Sequence, residues 1–485
     1  MQLTFTRLFA GFFIFEWVIR IVMLFIVPSR RKPSSANAWL LLIMVIPTIG
    51  TILFYMFGDP KLPKTRRRLR RKVDSFTRDE LDKLRGSYPN LFAKLVKSDY
   101  QTLSRLATVL GGLPPMNGNK IEIITGYEAA FETLIKDIDA AQEYIHIEYF
   151  IATYDDTTKP VFLALERASV RGVHIRFLYD KVVSRRYPGQ KKMKQELNRI
   201  GVELFAMLPL FLVPGKKFMR PDLRNHRKIV VIDGKVAHSG SQNLIDRSYH
   251  RRDGIIYEEV VLRFKGPIVW QFNNIFRSDW YAETHDALLE LVEDEDVPDM
   301  VGDITAQVLP SGPAHEHDNN LKFYTSMIHS AKKRIGIVVP YFIPDESFFD
   351  ALTAAAQRGV KVTMINSASI DKILAGHAQR SYYEELLEVG VEIYLYNEPV
   401  FLHTKQILID DDVAIVGSSN LDIRSFQLDL EVSTILYDTH IVKKLEHIES
   451  EYLKTSKKVT MKVWQSRSLR LKMLDRIARL TAAFQ

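Results

Sequence analysis

The sequence contains no cysteine among its 485 residues. This absence excludes disulfide frameworks, thiol nucleophiles, iron–sulfur clusters and cysteine-ligated zinc, and it removes thiols as evidence for the compartment. The remaining composition, 46% hydrophobic and 26% charged, is that of an ordinary globular protein and excludes a disordered or collagen-like chain. The length is sufficient for about three domains.

The net charge of +8 is concentrated in two segments. Residues 61–74 contain eight lysines and arginines against the single acid Asp74, and residues 441–485 contain eleven against four acids. The rest of the chain is therefore net negative, which disfavours a body that binds nucleic acid. A basic segment beside a membrane span is attracted to anionic lipid headgroups, although it can equally serve only as a topology signal.

Two long apolar runs lie near the amino terminus. Residues 8–27 are interrupted only by Glu16 and Arg20, and residues 38–57 carry no charge. At a rise of ~1.5 Å per residue each run can cross the hydrocarbon core. Glu16 and Arg20 are four apart and can pair on one helical face. Because more cations follow the second run than separate the two, we expect a multi-pass hairpin over residues 1–60 with the body in the cytoplasm.

From about residue 119 the sequence alternates short apolar runs with helical patterns, and this order occurs twice. The strand patterns cover residues 144–151, 174–179 and 202–206, and then 335–343, 361–366 and 391–396. The order β, α, β, α, β predicts parallel strands in an α/β fold. We therefore expect a basic, partly helical linker at 61–118, a first half at 119–300 and a second half at 301–485 that ends in a basic helix.

The repeat is sharpest at the end of each half. A shift of 177 residues places 226–248 on 403–425 without a gap, and 12 of the 23 positions are identical. The polar identities of this repeat are His226, Lys228, Asp233, Ser241, Asn243, Arg247 and Ser248, matched by His403, Lys405, Asp410, Ser418, Asn420, Arg424 and Ser425. A shared hydrophobic core does not explain polar identities, because buried charge is costly without partners.

The spacing within the repeat indicates which residues face a ligand. The histidine and lysine are two apart, so on a strand they share a face. Asp233 and Asp410 begin tight turns, so we expect them to hold structure or orient a neighbour and not to attack a substrate. Two imidazoles and two ammonium groups, with serine and asparagine from both halves, suit an anionic phosphodiester.

The pattern HxKxxxxD followed by GSxN, complete in both copies, resembles the signature of the phospholipase D superfamily. The apolar amino-terminal region and the segment NHRKIVVIDG resemble the bacterial cardiolipin synthases of that superfamily. The resemblance covers essentially the whole chain. It implies two α/β/α halves related by a pseudo-two-fold axis, with one active site at their junction.

The mechanism that the resemblance implies uses the two histidines in different roles. His226 would attack phosphorus to give a covalent phosphatidyl-histidine, and His403 would protonate the departing alcohol and later deprotonate the incoming one. The symmetry of the sequence leaves the reverse assignment open. Lys228, Lys405, Asn243 and Asn420 would hold the phosphoryl oxygens, so we expect neither a metal nor a cofactor.

The resemblance also implies an acid after each GSxN segment that orients a histidine. Glu431 is the clear candidate in the second half. In the first half we prefer Glu259 to Glu258 and Asp253. Ser241 and Ser418 are expected to bind phosphate or to support the site.

The implied reaction is phosphatidyl transfer between two phosphatidylglycerol molecules in a bacterial inner membrane, giving cardiolipin and glycerol. A phospholipase D hydrolase or a phosphatidylserine synthase would share the covalent intermediate and differ in the acceptor. The expected partners are phosphatidylglycerol and anionic membrane lipids, without nucleic acid, and the oligomeric state is open. The carboxyl-terminal stretch 464–480 places Leu469, Met473, Ile477 and Leu480 near one face, which could contact a membrane or pack on the body.

Overall fold

The computed structural model describes residues 2–31, 33–58, 62–92, 98–209, 220, 222–249, 254–286, 288, 299–315 and 318–480. The helices of the amino-terminal region and the first half are α1 (Gln2–Arg30), α2 (Pro33–Val45), α3 (Pro47–Phe57), α4 (Lys64–Ser87), α5 (Gln101–Gly111), α6 (Tyr127–Ala140), α7 (Lys159–Val170), α8 (Lys181–Ser184), α9 (Gln190–Arg199) and α10 (Ile268–Thr284). Those of the second half are α11 (Asn319–Ser330), α12 (Glu346–Gln357), α13 (Ile373–Arg380), α14 (Tyr383–Glu388), α15 (Ile423–Gln427), α16 (Thr439–Lys454), α17 (Met461–Gln465) and α18 (Leu469–Arg479).

The strands are distributed almost equally between the halves. The first half contains β1 (Met116–Thr125), β2 (Tyr144–Tyr149), β3 (His174–Asp180), β4 (Glu203–Met207), β5 (Arg224–Asn225), β6 (Lys228–Ile232), β7 (Val236–Gly240), β8 (Ile256–Glu258) and β9 (Val260–Lys265). The second contains β10 (Ile304–Ser311), β11 (Arg334–Val338), β12 (Phe342–Ile343), β13 (Lys361–Ser367), β14 (Glu392–Tyr396), β15 (Val400–Leu402), β16 (Gln406–Ile409), β17 (Val413–Gly417), β18 (Leu421–Asp422), β19 (Asp429–Leu436) and β20 (Ser456–Val459).

One continuous mixed sheet runs through both halves. Its order outward from the middle is β1-β9-β7-β6-β2-β3-β4 on one side and β10-β19-β17-β16-β11-β13-β14-β20 on the other. The halves join where β1 and β10 pair antiparallel, with Met116 opposite Ala306. The strand order is therefore the same on both sides up to β14, which is the pseudo-two-fold symmetry that the repeat predicted.

The predicted strand and helix patterns correspond to real elements within a few residues. The strands β2, β3 and β4 are parallel, as are β11, β13 and β14, which confirms the predicted crossovers. Every residue of β2 and of β6 is buried, because helices cover both faces of the sheet. The run 335–343 differs from the prediction, since the main strand ends at Val338 and β12 pairs separately with β18.

The amino-terminal region contains one helix that is long and apolar enough to cross a membrane among the described residues, Ala10–Arg30 within α1. Arg20 lies 3.7 Å from Glu16 on this helix, as predicted, and its Nε donates to the carbonyl oxygen of Met44 at 3.1 Å. The pair therefore faces α2, and Arg20 has protein partners on both helices.

The second predicted span, residues 38–57, differs from the prediction because it is divided between α2 and α3. Ile46 leaves the helical conformation with φ −132°, and Pro47 has no N–H to continue the helix. The two helices fold against each other so closely that a Cβ at Gly50 would lie 2.9 Å from the Cα of Ile43. The region is therefore one long helix followed by a compact pair of short ones.

The basic segment between the membrane region and the body packs on the body. In α4, Arg66 donates both terminal nitrogens to the carboxylate of Glu283 on α10, each at 2.7 Å. In α5, Leu103, Ala107 and Leu110 are buried against the second half. Helices thus occupy most of this predicted linker, and they connect the membrane region firmly to both halves.

Two short strands cross from one half to the other. β5 pairs in parallel with β19, so that Arg224 and Asn225 lie opposite Asp429 and Leu430. β15 pairs in parallel with β8 in the symmetric arrangement. Each of β5 and β15 immediately precedes a histidine of the repeated motif, so each histidine is positioned by the opposite half.

Candidate active site

His226 lies between β5 and β6, His403 lies between β15 and β16, and both are 6% exposed. The backbone N–H of His226 donates to the carbonyl oxygen of Leu430 at 2.8 Å, and that of His403 donates to Glu258 at 2.8 Å. Because these acceptors belong to the opposite half, the crossing strands fix both imidazoles at the junction of the halves.

Each imidazole is held by a carboxylate of the opposite half. Nδ1 of His226 lies 3.0 Å from both carboxylate oxygens of Glu431. Nδ1 of His403 lies 2.8 Å from Oε1 of Glu259. With Nδ1 engaged in this way, Nε2 is the ring nitrogen presented for reaction.

The structure places both sequence-predicted acids at the site, but crosswise. Sequence reasoning assigned an acid to each half without showing that each one serves the other half's histidine. Glu258 instead approaches Arg247 at 3.6 Å, and Asp253 lies outside the described residues. The sequence pattern contains no signal for the exchange, because it depends on the pairing of two-residue and three-residue strands.

The two motif lysines are buried beside the histidines. Nζ of Lys228 donates to the carbonyl oxygen of His226 at 2.7 Å, and Nζ of Lys405 donates to that of His403 at 2.5 Å. Burial lowers the pKa of Lys228 to about 8 and lowers that of Lys405 well below its usual value. An anion that entered the site would favour the charged form of both, because it would supply the missing counter-charge.

The two histidine–carboxylate pairs differ in their electrostatics. Burial, together with Lys228 and Lys405, lowers the pKa of His226 well below its ordinary value. Burial also lowers the pKa of His403, to about 4, but Glu259 opposes this effect. The pKa of Glu259 is itself lowered, because His403 and Lys405 overcome the effect of burial, whereas burial raises the pKa of Glu431.

The serines of the GSxN segments support these carboxylates. Ser418 donates its hydroxyl to Glu431 and accepts the N–H of Val432 at 3.0 Å. Ser241 accepts the N–H of Val260 at 3.0 Å, and its hydroxyl helps to lower the pKa of Glu259. The serines therefore stand behind the histidines and stabilise the groups that orient them.

The asparagines of the two GSxN segments differ in the hydrogen bonding of their side-chain oxygens. Oδ1 of Asn243 accepts the N–H of Ile151 at 3.3 Å. Asn420 is 8% exposed, and its Oδ1 has no hydrogen-bond partner among the described residues. The side-chain oxygen of Asn420 can therefore accept a hydrogen bond inside the site.

Asp233 and Asp410 hold structure at the far ends of β6 and β16. Asp233 accepts the backbone N–H groups of Gln142, Glu143 and Tyr144 at 2.9, 2.8 and 3.0 Å. Asp410 accepts those of residues 332–334 at 3.1, 2.7 and 3.0 Å. Both aspartates have positive φ, 51° and 49°, as the tight turns require. They anchor the loops that precede β2 and β11, and the glutamates orient the histidines.

Several aromatic neighbours of the site were not identified from the sequence. The ring of Phe150 lies 4.6 Å from that of His226, and Tyr257 and Phe401 lie 5.4 and 6.0 Å from His403. The tripeptide Tyr-Phe-Ile occurs at or just after the end of the equivalent strands β2 and β11, at 149–151 and 341–343, and this repeat was the available signal for aromatic residues beside the site.

No group of three or more histidine, aspartate or glutamate residues in the described part of the chain has the arrangement of a metal site. The arrangement can instead act through its own groups. Two imidazoles oriented by carboxylates can exchange roles as nucleophile and proton donor, and two buried ammonium groups can neutralise a phosphodiester.

A duplicated α/β fold in which both halves bring an HxK segment to one buried junction defines a phospholipase D-like protein. A family model described as "Cardiolipin synthase, PLD-like domain" matches residues 134–280 and 324–451, and one described as "Phospholipase_D-nuclease N-terminal" matches residues 17–58. The chain belongs to the phospholipase D-like family of cardiolipin synthases. This family and the apolar helix α1 indicate an enzyme associated with membranes.

The similar proteins of known name are aligned over nearly their whole length. Cardiolipin synthase A of Pectobacterium carotovorum is 30% identical, with 94% of both chains covered. Cardiolipin synthase of Alkalihalophilus pseudofirmus is 33% identical over 93% of this chain and 89% of its own. Cardiolipin synthase 1 of Staphylococcus epidermidis is 32% identical, with 96% of both covered.

A solved structure supports the fold. The crystal structure of phosphatidylserine synthase from Haemophilus influenzae superposes with a TM-score of 0.57 at 12% identity. It covers 80% of this chain and 98% of its own. At this identity the likeness shows the shared architecture.

Proposed function

We propose that this chain transfers a phosphatidyl group from one phosphatidylglycerol molecule to the hydroxyl of another, giving cardiolipin and glycerol. The observation that carries the proposal is the crosswise pair of histidine–glutamate contacts, 3.0 and 2.8 Å long, in one buried cationic junction. The three relatives described above are named cardiolipin synthases, and these names support cardiolipin as the product.

In the first half-reaction Nε2 of His226 attacks the phosphorus of the donor lipid. A P–N bond forms, the bond from phosphorus to the glycerol oxygen breaks, and the Nε2 proton of His403 passes to that oxygen. Burial lowers the pKa of His403 in the free enzyme, and the bound anionic phosphodiester together with Glu259 restores its protonated form. Glycerol leaves with the donor's headgroup oxygen. Lys228 and Lys405 stabilise the charge on the non-bridging oxygens.

In the second half-reaction the neutral His403 accepts a proton from the hydroxyl of the second phosphatidylglycerol. The alkoxide oxygen attacks phosphorus, the P–N bond to His226 breaks, and cardiolipin is released. His403 is then protonated again, and the enzyme returns to its first state with all protons accounted for.

The assignment of His226 as nucleophile is supported by the difference between the two pairs. A nucleophile has to be neutral, and burial with two neighbouring lysines lowers the pKa of His226 well below its usual value. A proton donor benefits from an ionised partner, and Glu259, whose pKa is lowered, opposes the loss of the proton from His403.

The membrane arrangement follows from helix length and charge. We propose that α1 crosses the cytoplasmic membrane once and that the catalytic body lies on the cytoplasmic side. α2 and α3, with 13 and 11 residues, are each shorter than a ~30 Å hydrocarbon core requires. The cations at the end of α1 and beyond it, including Arg30, Arg31 and the basic residues of α4, favour the cytoplasm.

The multi-pass arrangement predicted from the sequence would place both termini in the cytoplasm. The two arrangements therefore differ in the side of the membrane on which the amino terminus lies. With a single crossing, a Gln2→Cys variant in intact cells reacts with an impermeant maleimide, whereas Val170→Cys in the body reacts only after lysis. Protection of both cysteines until lysis would support two crossings. Reaction of the body cysteine in intact cells would overturn the cytoplasmic placement.

The product assay tests the proposed reaction. Purified full-length protein in mixed micelles with phosphatidylglycerol as the sole phospholipid should form cardiolipin and glycerol in equal amounts. Phosphatidic acid as the main product would identify a hydrolase, and dependence on added serine would identify a phosphatidylserine synthase. The His226→Ala/His403→Ala double variant is the matched control for contaminating activity.

A further inference from the structure

The carboxyl-terminal helix α18 presents apolar side chains to the outside of the molecule. Leu469, Met473, Ile477 and Leu480 are 75%, 56%, 58% and 81% exposed. Their spacing of three or four residues places them on one stripe of the helix. The packed side of α18 is elsewhere and contains Asp475 and Ala478. The helix is therefore attached to the body by a polar contact and leaves its apolar stripe uncovered.

The polar contact fixes how α18 lies on the body. Asp475 accepts from Nδ1 of His377 on α13 at 2.7 Å and also pairs with Arg467. One turn further along, Arg479 pairs with Glu385. α18 therefore lies against α13 at His377 and against α14 at Glu385.

The neighbouring helix also exposes apolar residues. Ile373 and Leu374 in the first turn of α13 are 56% and 59% exposed. Ile373 precedes His377 by one turn, so the pair lies on the helix against which α18 packs. We call the four residues of the stripe on α18, Leu469, Met473, Ile477 and Leu480, the docking face.

The charge around the docking face is positive. Arg470, Lys472 and Arg476 flank the apolar stripe of α18, and Asp475, the one acid of this helix, is buried in its contact with His377. An apolar stripe bordered by lysine and arginine is complementary to an anionic lipid surface, where apolar side chains enter the acyl region and the cations meet headgroups.

The helix on which α18 packs also lines a cavity beside the candidate active site. Gly376 and Gln379 of α13 line this cavity together with Tyr341 and Phe401. The ring of Phe401 is 6.0 Å from that of His403. α13 therefore connects the helix that carries the docking face to the wall of this cavity.

We infer that the docking face rests on the surface of an anionic bilayer and forms a second membrane contact, separate from α1. It would hold the body against the membrane in one orientation. A consequence that rests on the proposed function is that lipid substrates reach the junction along α13 without leaving the bilayer.

The absence of cysteine makes a direct test possible, because a single introduced cysteine can be labelled without background. Full-length Met473→Cys, labelled with an environment-sensitive fluorophore, is placed in nanodiscs of phosphatidylcholine and phosphatidylglycerol. Brominated lipids should quench it about twofold, as expected of a side chain at the acyl boundary. The matched control is Val170→Cys, 84% exposed on α7, which should be unaffected.

Two results would overturn the inference. Quenching of the label at residue 473 by aqueous iodide, as strong as at residue 170, would show a face that is open to water. Protection from both quenchers, together with a larger assembly, would show that a second copy of the chain covers the face. Neither readout depends on catalysis, so the test remains valid if the proposed reaction is wrong.

A second experiment tests whether the membrane contact affects turnover. The Met473→Glu/Ile477→Glu variant should lose several-fold activity on phosphatidylglycerol in bilayers and stay within about twofold of the parent in detergent micelles, where no surface has to be docked. Val170→Glu is the matched control. Equal losses in bilayers and micelles would contradict a docking role, and circular dichroism checks that α18 is retained.

Discussion

The two halves share a framework and differ in what surrounds their carboxylates. Each half supplies a histidine and a lysine to the junction and a glutamate to the opposite histidine. Glu431 follows Asp429 on β19 by two residues, and burial raises the pKa of Asp429 to about 7. At the corresponding place before Glu259 stands Tyr257, whose ring contacts His403. A duplication thus conserves geometry, while neighbouring substitutions give the two histidines different protonation behaviour.

Removal of either histidine should have the largest effect. His226→Ala and His403→Ala should each reduce turnover by at least ~10³-fold, because the two imidazoles act as a unit in both half-reactions. The double variant should be little worse than either single one. Glycerol release from phosphatidylglycerol measures this. If one single variant kept a tenth of the parent activity, the junction would have only one essential half.

Substitution of the two glutamates should change the pH profile to different extents. Glu259→Gln removes the charge that raises the pKa of His403. His403 then loses its proton at a lower pH, so the alkaline limb of the pH profile shifts to lower pH. Activity near neutral pH should fall ~10-fold or more. Glu431→Gln should move the limb less, because Glu431 contacts the imidazole of His226 and not that of the proton donor His403.

The pH dependence of kcat/KM for both variants provides the measurement. Glu258→Gln is the matched control, since this neighbour approaches Arg247 and not an imidazole. Equal displacements of the limb in Glu259→Gln and Glu431→Gln would show that the two pairs are electrostatically equivalent, and would remove the basis for distinct roles.

The motif aspartates should behave alike in both halves and have the smallest effect on catalysis. Asp233→Ala and Asp410→Ala each remove a carboxylate that accepts three backbone N–H groups at a residue with positive φ. We expect a loss of stability of ~2 kcal/mol, seen as a lower midpoint of thermal unfolding in detergent. The folded variants should keep kcat within about threefold. A large fall in kcat with an unchanged midpoint would place these aspartates in the chemistry.

Much of the fold and of the site was predictable, for identifiable reasons. The apolar runs that form β2, β3 and β4 are bounded by helical patterns, and the gapless repeat by itself points to His226, Lys228, His403 and Lys405. Polar identities at fixed spacing are informative because a shared core does not require them. The glutamates were also found, but only as acids following the repeated segment.

The features that were missed depend on long-range pairing or on a single backbone break. The exchange of Glu259 and Glu431 follows from β8 and β19 pairing with two short strands of the other half, and such strands have no periodicity to detect. The division of residues 38–57 occurs at Pro47, which has no N–H to continue a helix. The twenty uncharged residues around it predict a single span, and they do not indicate the break.

The most direct measurement is the position of the covalent intermediate. Full-length protein is allowed to turn over phosphatidylglycerol labelled in its phosphate, then is denatured rapidly and digested under conditions that preserve phosphohistidine. The phosphoryl label should appear on the peptide that contains His226 and be absent from the peptide that contains His403. Label on His403 would reverse the roles of the halves, and label on neither peptide would contradict the covalent mechanism itself.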